Sequence, residues 1–140
     1  MPIYPQEEDV LFHEGKFFRA EWYYNIGGER PAYGYYHDLT PEERARFLAL
    51  VVYFCDNPPG SFLPPTKYRV EDRDNKIYAF KSGADRFFNF TTSGAKVIVT
   101  NAYHKQSNKM KKQDLEKLKI AAHYRTDYLK RVKENTYYEN

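Results

Sequence analysis

At 140 residues the chain is long enough for one domain with a real hydrophobic core, and two independent domains are not expected. The single cysteine, Cys55, excludes an internal disulfide and any zinc site built from several cysteines, so a reducing cytoplasm is the expected location. Residues 1–60 contain 5 Lys/Arg against 10 Asp/Glu, whereas residues 61–140 contain 17 against 9, and a basic half of this kind attracts nucleic acid or an acidic protein.

The first part of the chain, residues 1–15, is rich in proline and acidic side chains and shows no clear period. This composition predicts an extended N-terminal arm or a loosely docked tail. The arm lacks the basic start and the apolar stretch of a signal peptide. The longest apolar run, residues 47–55, falls short of the roughly 18 residues that a membrane helix needs, so we expect a soluble protein with no membrane partner.

A strand and two helices are predicted before residue 60. Residues 17–24 are rich in aromatic side chains and end near a Gly-Gly turn, which is typical of a strand. Residues 31–39 predict a short helix. The next helix begins with strong signals, because Thr40 can cap it, Pro41 suits the first helical position and Glu43 completes a capping box. Apolar side chains of this helix form one stripe for the core: Phe47, Leu48, Val51, Phe54 and Cys55.

Three strands and a final helix are predicted in the second half of the chain. The strands cover residues 77–80, 86–90 and 96–100, and residues 91–94 are short enough to join the last two as an antiparallel hairpin. Residues 114–134 predict a helix with lysines on one face. Its apolar side is expected to contain Leu115, Leu118, Ala121, Ala122, Leu129 and Val132.

This order of elements predicts a single α+β domain over residues 16–134, followed by a C-terminal tail at residues 135–140. The expected architecture is a twisted, mostly antiparallel sheet of about four strands, with two N-terminal helices and a C-terminal helix.

A pattern of basic and aromatic residues joins these strands to the last helix. Lys81 ends one predicted strand, Arg86 opens the next before two phenylalanines, and the apolar run at residues 97–99 leads into the Tyr-His-Lys-Gln-Ser-Asn-Lys segment at residues 103–109. In this order of features the chain resembles the RelE/HigB-like toxins of bacterial and phage toxin–antitoxin pairs, in particular the phage-derived HigB-type branch. The resemblance implies a RelE/ParE-like fold.

The resemblance also implies a function. Such toxins are small endoribonucleases that cleave mRNA, typically on the ribosome, and a cognate antitoxin, here expected to contain a helix-turn-helix, holds them inactive. Their reaction uses no metal and no cofactor, because the 2′-hydroxyl of the RNA attacks the adjacent phosphate. A metal site is not expected here either, since His13, His37 and His123 show no ligand spacing.

Four residues are expected to take part in catalysis: Lys81, Arg86, His104 and Lys105. Histidine titrates near neutral pH, and the lysine and arginine side chains can stabilise charge on phosphoryl oxygens. The positive charge of Lys105 beside His104 would favour a neutral, basic imidazole.

Four more residues are expected to bind RNA. Lys109, Lys111 and Lys112 can hold the phosphate backbone, and Tyr103 can stack on a base or pack in the core. Two other functions remain open at this point. Related folds of the ParE branch inhibit DNA gyrase without cutting nucleic acid, and an RNA-binding accessory protein could retain the scaffold without activity. Neither the oligomeric state nor the antitoxin's identity follows from the sequence.

Overall fold

The computed structural model describes residues 7–61 and 63–138. Its elements, in chain order, are α1 (Glu7–Val10), β1 (Leu11–Glu14), β2 (Arg19–Trp22), α2 (Pro31–His37), α3 (Pro41–Asp56), β3 (Tyr68–Asp72), β4 (Ile77–Ser82), β5 (Asp85–Thr91), β6 (Lys96–His104) and α4 (Lys112–Lys133). No helix within these two ranges is both long and apolar enough to cross a membrane.

The strands form one six-stranded sheet in the order β1-β2-β6-β5-β4-β3. Strand β2 pairs with β6 in parallel, and the other neighbours pair antiparallel, so the sheet is mixed. The prediction of about four mostly antiparallel strands with two N-terminal helices is therefore wrong, although the structure is α+β. The difference arises at the edges, where β1 and β3 are short, half-exposed strands that carry only a weak apolar pattern, and at the N-terminus, where α1 precedes the two expected helices.

The segment expected as an N-terminal arm contributes to this sheet. Strand β1 pairs with β2, Val10 is fully buried, and the ring of Phe12 stacks on Trp22 with 3.9 Å between the ring centroids. Val10 and β1 are thus packed against the domain, because an aromatic contact and a strand ladder hold them there. Residues 1–6 of the expected arm lie outside the described residues.

One face of the sheet is covered by α2 and α3. Thr40 Oγ1 accepts a hydrogen bond from Glu43 N at 3.2 Å, and Glu43 Oε1 accepts one from Thr40 N at 2.9 Å, which confirms the predicted capping box of α3. Phe47, Val51 and Cys55 are completely buried, as the apolar stripe predicts. Burial raises the pKa of the Cys55 thiol to about 12, so this cysteine packs as a small apolar side chain.

The other face of the sheet is covered by α4 and by the residues that follow it. Leu118 and Ala121 are buried here, but Leu115, Leu129 and Val132 are 46%, 40% and 37% exposed, although all five were expected on the apolar side. Two charged residues of α4, Asp114 and Arg131, are buried because ion pairs with Lys105 and Asp127 neutralise them. The prediction that Leu115, Leu129 and Val132 lie on the buried side of α4 is therefore wrong.

The C-terminal segment is held against β2 by a buried polar network. Tyr137 is 1% exposed and its hydroxyl accepts a hydrogen bond from Tyr24 N at 3.0 Å, so this part of the C-terminal tail packs against the domain. Residues 139 and 140 lie outside the described residues. We call this network the C-terminal lock, and its members are Glu21, Tyr23, Tyr24, Lys96, Asp127, Arg131, Tyr137 and Tyr138.

Candidate functional site

A β-bulge in β6 determines which side chains reach the candidate site. Asn89 of β5 pairs with Val99 of β6, whereas Phe87 pairs with Ala102. Two steps along β5 therefore match three steps along β6, so β6 contains one extra residue between these pairs. An extra residue interrupts the alternation of side chains between the two faces of a sheet.

The bulge exchanges the faces of Tyr103 and His104. Before the bulge, Ile98 faces the core under α4, and Val97 and Val99 face α2 and α3. Strict alternation from these residues would direct His104 towards α4. With the extra residue, Tyr103 packs on the α4 side instead, and His104 faces the other side.

A row of three functional side chains crosses the end of the sheet on the α4 side. Lys81 of β4 lies directly opposite Arg86 of β5, which lies directly opposite Tyr103 of β6. These three side chains help to line a cavity of about 270 Å³. We call this cavity the cationic pocket, and its charged and hydroxyl side chains are Arg69, Glu71, Lys81, Arg86, Tyr103 and Lys105.

Two of the four cations in the pocket are neutralised by carboxylates. Arg69 Nε lies 3.1 Å from Glu71 Oε1. Lys105 Nζ lies 3.0 Å from Asp114 Oδ2, at a bridge whose side chains are 13% and 3% exposed. These pairs leave the pocket with the charge of Lys81 and Arg86.

Lys81 and Arg86 have no carboxylate at ion-pair distance within residues 7–61 and 63–138. Arg86 Nη1 donates only to backbone oxygens, those of Gly83 at 2.6 Å and Asp85 at 3.2 Å. Burial lowers the pKa of Lys81, and the positive charges of Arg69 and Arg86 lower it further, while Glu71 opposes them. Like charges directly opposite each other destabilise a strand pair, so an anion bound between them would be stabilising.

Tyr103 provides a hydroxyl and an aromatic surface at one side of the pocket. Its ring stacks on Phe88 with centroids 5.6 Å apart, and Phe88 belongs to the buried core. Burial, together with the negative charges of Asp114 and Glu71, raises the pKa of Tyr103 to about 12. Tyr103 is therefore neutral at physiological pH, where its hydroxyl can donate to a phosphate oxygen.

Lys105 lies in the pocket wall, but its ammonium group is already engaged. It donates to Asp114 Oδ2 and, at 3.3 Å, to the carbonyl oxygen of Lys109. Asp114 also accepts from Lys111 N at 2.8 Å at the start of α4. Burial raises the pKa of Asp114, but the hydrogen bonds from Lys111 and Lys105 outweigh it and hold that pKa below its usual range. Lys105 thus ties the loop to the helix.

The structure separates His104 from the other residues predicted for catalysis. Its side chain is 62% exposed, and Nδ1 lies 3.4 Å from Asp85 Oδ1, a carboxylate that also accepts a hydrogen bond from the Tyr35 hydroxyl of α2. The cationic pocket is on the opposite face. The structure thus brings together Lys81, Arg86, Lys105 and Tyr103, but it does not bring His104 to them.

The three other lysines predicted to bind RNA lie beside the pocket. Lys109 and Lys111 belong to the loop between β6 and α4, Lys112 begins α4, and all three are exposed. Asn108 and Met110 of the same loop reach the pocket lining. These exposed lysines make the loop beside the pocket positively charged.

Sequence reasoning did not place Arg69 and Glu71, which come from the edge strand β3, in the site. A signal was present, because apolar Tyr68 and Val70 alternate with polar Arg69 and Glu71 over the strand. Residues two apart on a strand share a face, so the alternation places the arginine and the glutamate side by side.

No protein-family model matches the chain, and no curated protein matches it in sequence. Within the described parts of the chain, no three or more His, Cys, Asp or Glu side chains are grouped so that they could hold a metal ion.

Proposed function

We propose that the protein binds RNA in the cationic pocket and cleaves it without a metal ion, as an endoribonuclease of the toxin type that its resemblance to RelE/HigB toxins implies. The observation that carries this proposal is the directly opposed pair Lys81 and Arg86, two cations in a cavity with no carboxylate partner in the described ranges. Natural proteins depart from stabilising arrangements mainly at functional sites, which supports a ligand site at this pair.

The charge of the pair suits the proposed reaction. A phosphodiester carries one negative charge, and attack by the 2′-hydroxyl adds a second as the transition state forms. Two fixed cations match the doubly charged transition state better than the singly charged ground state, and this difference accelerates a reaction. The neutral hydroxyl of Tyr103, in the same row, can donate to the remaining phosphoryl oxygen.

The biological setting of the proposal comes from the resemblance. The substrate would be mRNA, cut on the ribosome, and the partner that restrains the protein would be an antitoxin with a helix-turn-helix. The exposed lysines at positions 109, 111 and 112 support contact with an RNA backbone, and such binding weakens steeply as salt increases.

A second candidate function is RNA binding without cleavage. The position of His104 favours it, because the one imidazole predicted for proton transfer lies on the opposite face of the sheet. Both functions use the same pocket, so both predict that the protein binds RNA. Only the first predicts that the bound RNA is cleaved.

The experiment measures binding and cleavage of a 5′-labelled mRNA, with and without purified ribosomes. The double variant Lys81→Ala/Arg86→Ala should bind at least about tenfold more weakly, because each charged hydrogen bond contributes about 1.5–3 kcal/mol, and its cleavage should be lost. The control Lys130→Ala/Lys133→Ala removes two exposed positive charges near the far end of α4, about 27 Å from its start. The control should change binding by less than about threefold.

His104→Ala belongs in the same series. Because His104 lies across the sheet from the pocket, this variant should bind and cleave like the wild type. Unchanged binding in the Lys81/Arg86 double variant would contradict the proposed site. Wild-type protein that binds but leaves the mRNA intact on ribosomes would favour the binding-only function.

A further inference from the structure

Among the described residues that line the cationic pocket, Glu71 is the one with an acidic side chain. Val70 pairs with Tyr78 and Asp72 pairs with Ile77, so Glu71 is the extra residue of a β-bulge in β3. Bulges often redirect a side chain next to a functional site. The Glu71 side chain is 9% exposed and shares the cavity with Lys81 and Tyr103, whose pKa values it influences.

One oxygen of the Glu71 carboxylate is held and the other is available. Arg69 Nε donates to Oε1 at 3.1 Å, which fixes the orientation of the group. The structure gives Oε2 no hydrogen-bond donor among residues 7–61 and 63–138. A carboxylate oriented at one oxygen and open at the other has the form of a general base.

The other polar side chains of the pocket are unsuited to accept a proton. The guanidinium groups of Arg69 and Arg86 and the ammonium groups of the lysines have no acceptor atom. Tyr103 retains its proton because burial raises its pKa to about 12. Lys105 is bonded to Asp114, and the imidazole of His104 faces the opposite side of the sheet.

We propose that Glu71 is the catalytic proton acceptor for cleavage of RNA in the cationic pocket, an inference that rests on the proposed function. Glu71 Oε2 takes the proton of the 2′-hydroxyl while O2′ forms a bond to phosphorus. The bond between phosphorus and O5′ breaks, and O5′ takes a proton from the Lys81 ammonium. The products are a 2′,3′-cyclic phosphate and a free 5′-hydroxyl, and water returns the proton of Glu71 to Lys81.

The position of Lys81 supports its part in this step. Its ammonium group lies in the same cavity and has no carboxylate partner within the described residues, so it is free to approach a leaving oxygen. The lowered pKa of Lys81, caused by burial and by Arg69 and Arg86, makes the ammonium a stronger acid than an exposed lysine.

The test compares Glu71→Gln with the control Glu116→Gln, which removes an exposed carboxylate from α4. Glutamine has the shape of glutamate and can still accept from Arg69, so the fold is expected to persist. Binding is measured with an RNA that carries a 2′-deoxyribose at the scissile position and cannot be cut. Cleavage is measured in single turnover on ribosomes, and the product ends are mapped.

We expect Glu71→Gln to bind the uncleavable RNA at least as tightly as the wild type, because a negative charge has left a cationic pocket. Its cleavage should fall about 10²–10⁴-fold, the usual contribution of a general base. Glu116→Gln should match the wild type.

A second substrate separates the proton acceptor from the proton donor. When sulfur replaces the bridging 5′ oxygen, the leaving group no longer needs a proton. Lys81→Arg, which keeps the positive charge, should recover its cleavage rate on this substrate, whereas Glu71→Gln should stay slow. These two variants therefore respond differently if the assigned roles are right.

The outcomes distinguish failure of this inference from failure of the proposed function. If the wild type cleaves and Glu71→Gln cleaves at the same rate, Glu71 is not the proton acceptor, and the proposed function stands. If Glu71→Gln loses binding of the uncleavable RNA together with cleavage, its role is structural. If the wild type binds RNA and never cleaves it, both this inference and the proposed cleavage are overturned.

Discussion

The cationic pocket and the C-terminal lock both place cations among aromatic rings, but they differ in how the charges are neutralised. In the lock, Arg131 Nη2 donates to Asp127 Oδ2 at 2.5 Å, and Lys96 Nζ lies 3.2 Å from Glu21 Oε2. In the pocket, Lys81 and Arg86 face each other with no carboxylate partner in the described ranges.

This difference separates cations that serve the fold from cations that are available to a ligand. Arg131 is 7% exposed and donates to both a carboxylate and the Tyr24 carbonyl, so its removal would leave buried groups unsatisfied. Removal of Lys81 leaves no such group behind. The two regions should therefore respond in opposite ways when a positive charge is deleted.

The largest expected effect on stability is that of Arg131→Ala. This variant leaves Asp127 as an uncompensated carboxylate and breaks the contact to Tyr24, so the free energy of unfolding should fall by about 3 kcal/mol. Urea unfolding measures it. Arg73→Ala, at an exposed turn residue, is the control and should change stability by less than about 0.5 kcal/mol. An equally small effect of Arg131→Ala would remove the distinction between the two regions.

The tyrosines of the lock should make the fold sensitive to base. Burial raises the pKa values of Tyr23, Tyr137 and Tyr138 above the ordinary value near 10, with Asp127 and Glu21 adding to the effect at Tyr23 and Tyr138. Above that value the unfolded chain loses protons that the folded chain keeps, so stability should decrease as pH rises.

Urea midpoints between pH 8 and pH 11 measure this base sensitivity. In Tyr138→Phe the starting stability should be lower, because the hydrogen bond to Glu21 is lost, but the decline with pH should be shallower. If stability declines with pH as steeply in this variant as in the wild type, the C-terminal lock does not raise the pKa of Tyr138.

The smallest expected effect is an increase in the free energy of unfolding. Lys81→Met removes one of two like charges that face each other across β4 and β5, so it should raise the free energy of unfolding by about 0.5 kcal/mol while RNA binding weakens. Lys67→Met, at an exposed residue before β3, serves as the control. A clear loss of stability in Lys81→Met would show that Lys81 is a structural cation.

Local signals in the sequence predicted α3 well. Its cap, its first-turn proline and its apolar stripe act within a few residues of each other, and the capping box of Thr40 and Glu43 is present in the structure. The row of Lys81 and Arg86 could also be predicted, because both lie near the ends of strongly apolar strands.

The face of His104 could not be predicted, because it depends on a long-range register. The bulge in β6 exists only in relation to β5, and the polar residues Thr100 and Asn101 fit either alternation. The buried stripe of α4 was mispredicted for a similar reason. Asp114 and Arg131 are buried because Lys105 and Asp127 neutralise them, and hydrophobicity alone assigns charged residues to the solvent.

The parallel pairing of β2 with β6 has a consequence for the timing of folding during synthesis. Strand β6 is the last to be made, yet it lies between β2 and β5 in the middle of the sheet. A nascent chain that ends before residue 96 therefore has two separate groups of strands and lacks the third member of the row of Lys81, Arg86 and Tyr103. Because such non-local contacts form late, the pocket is completed only after β6 has left the ribosome and joined the two groups of strands.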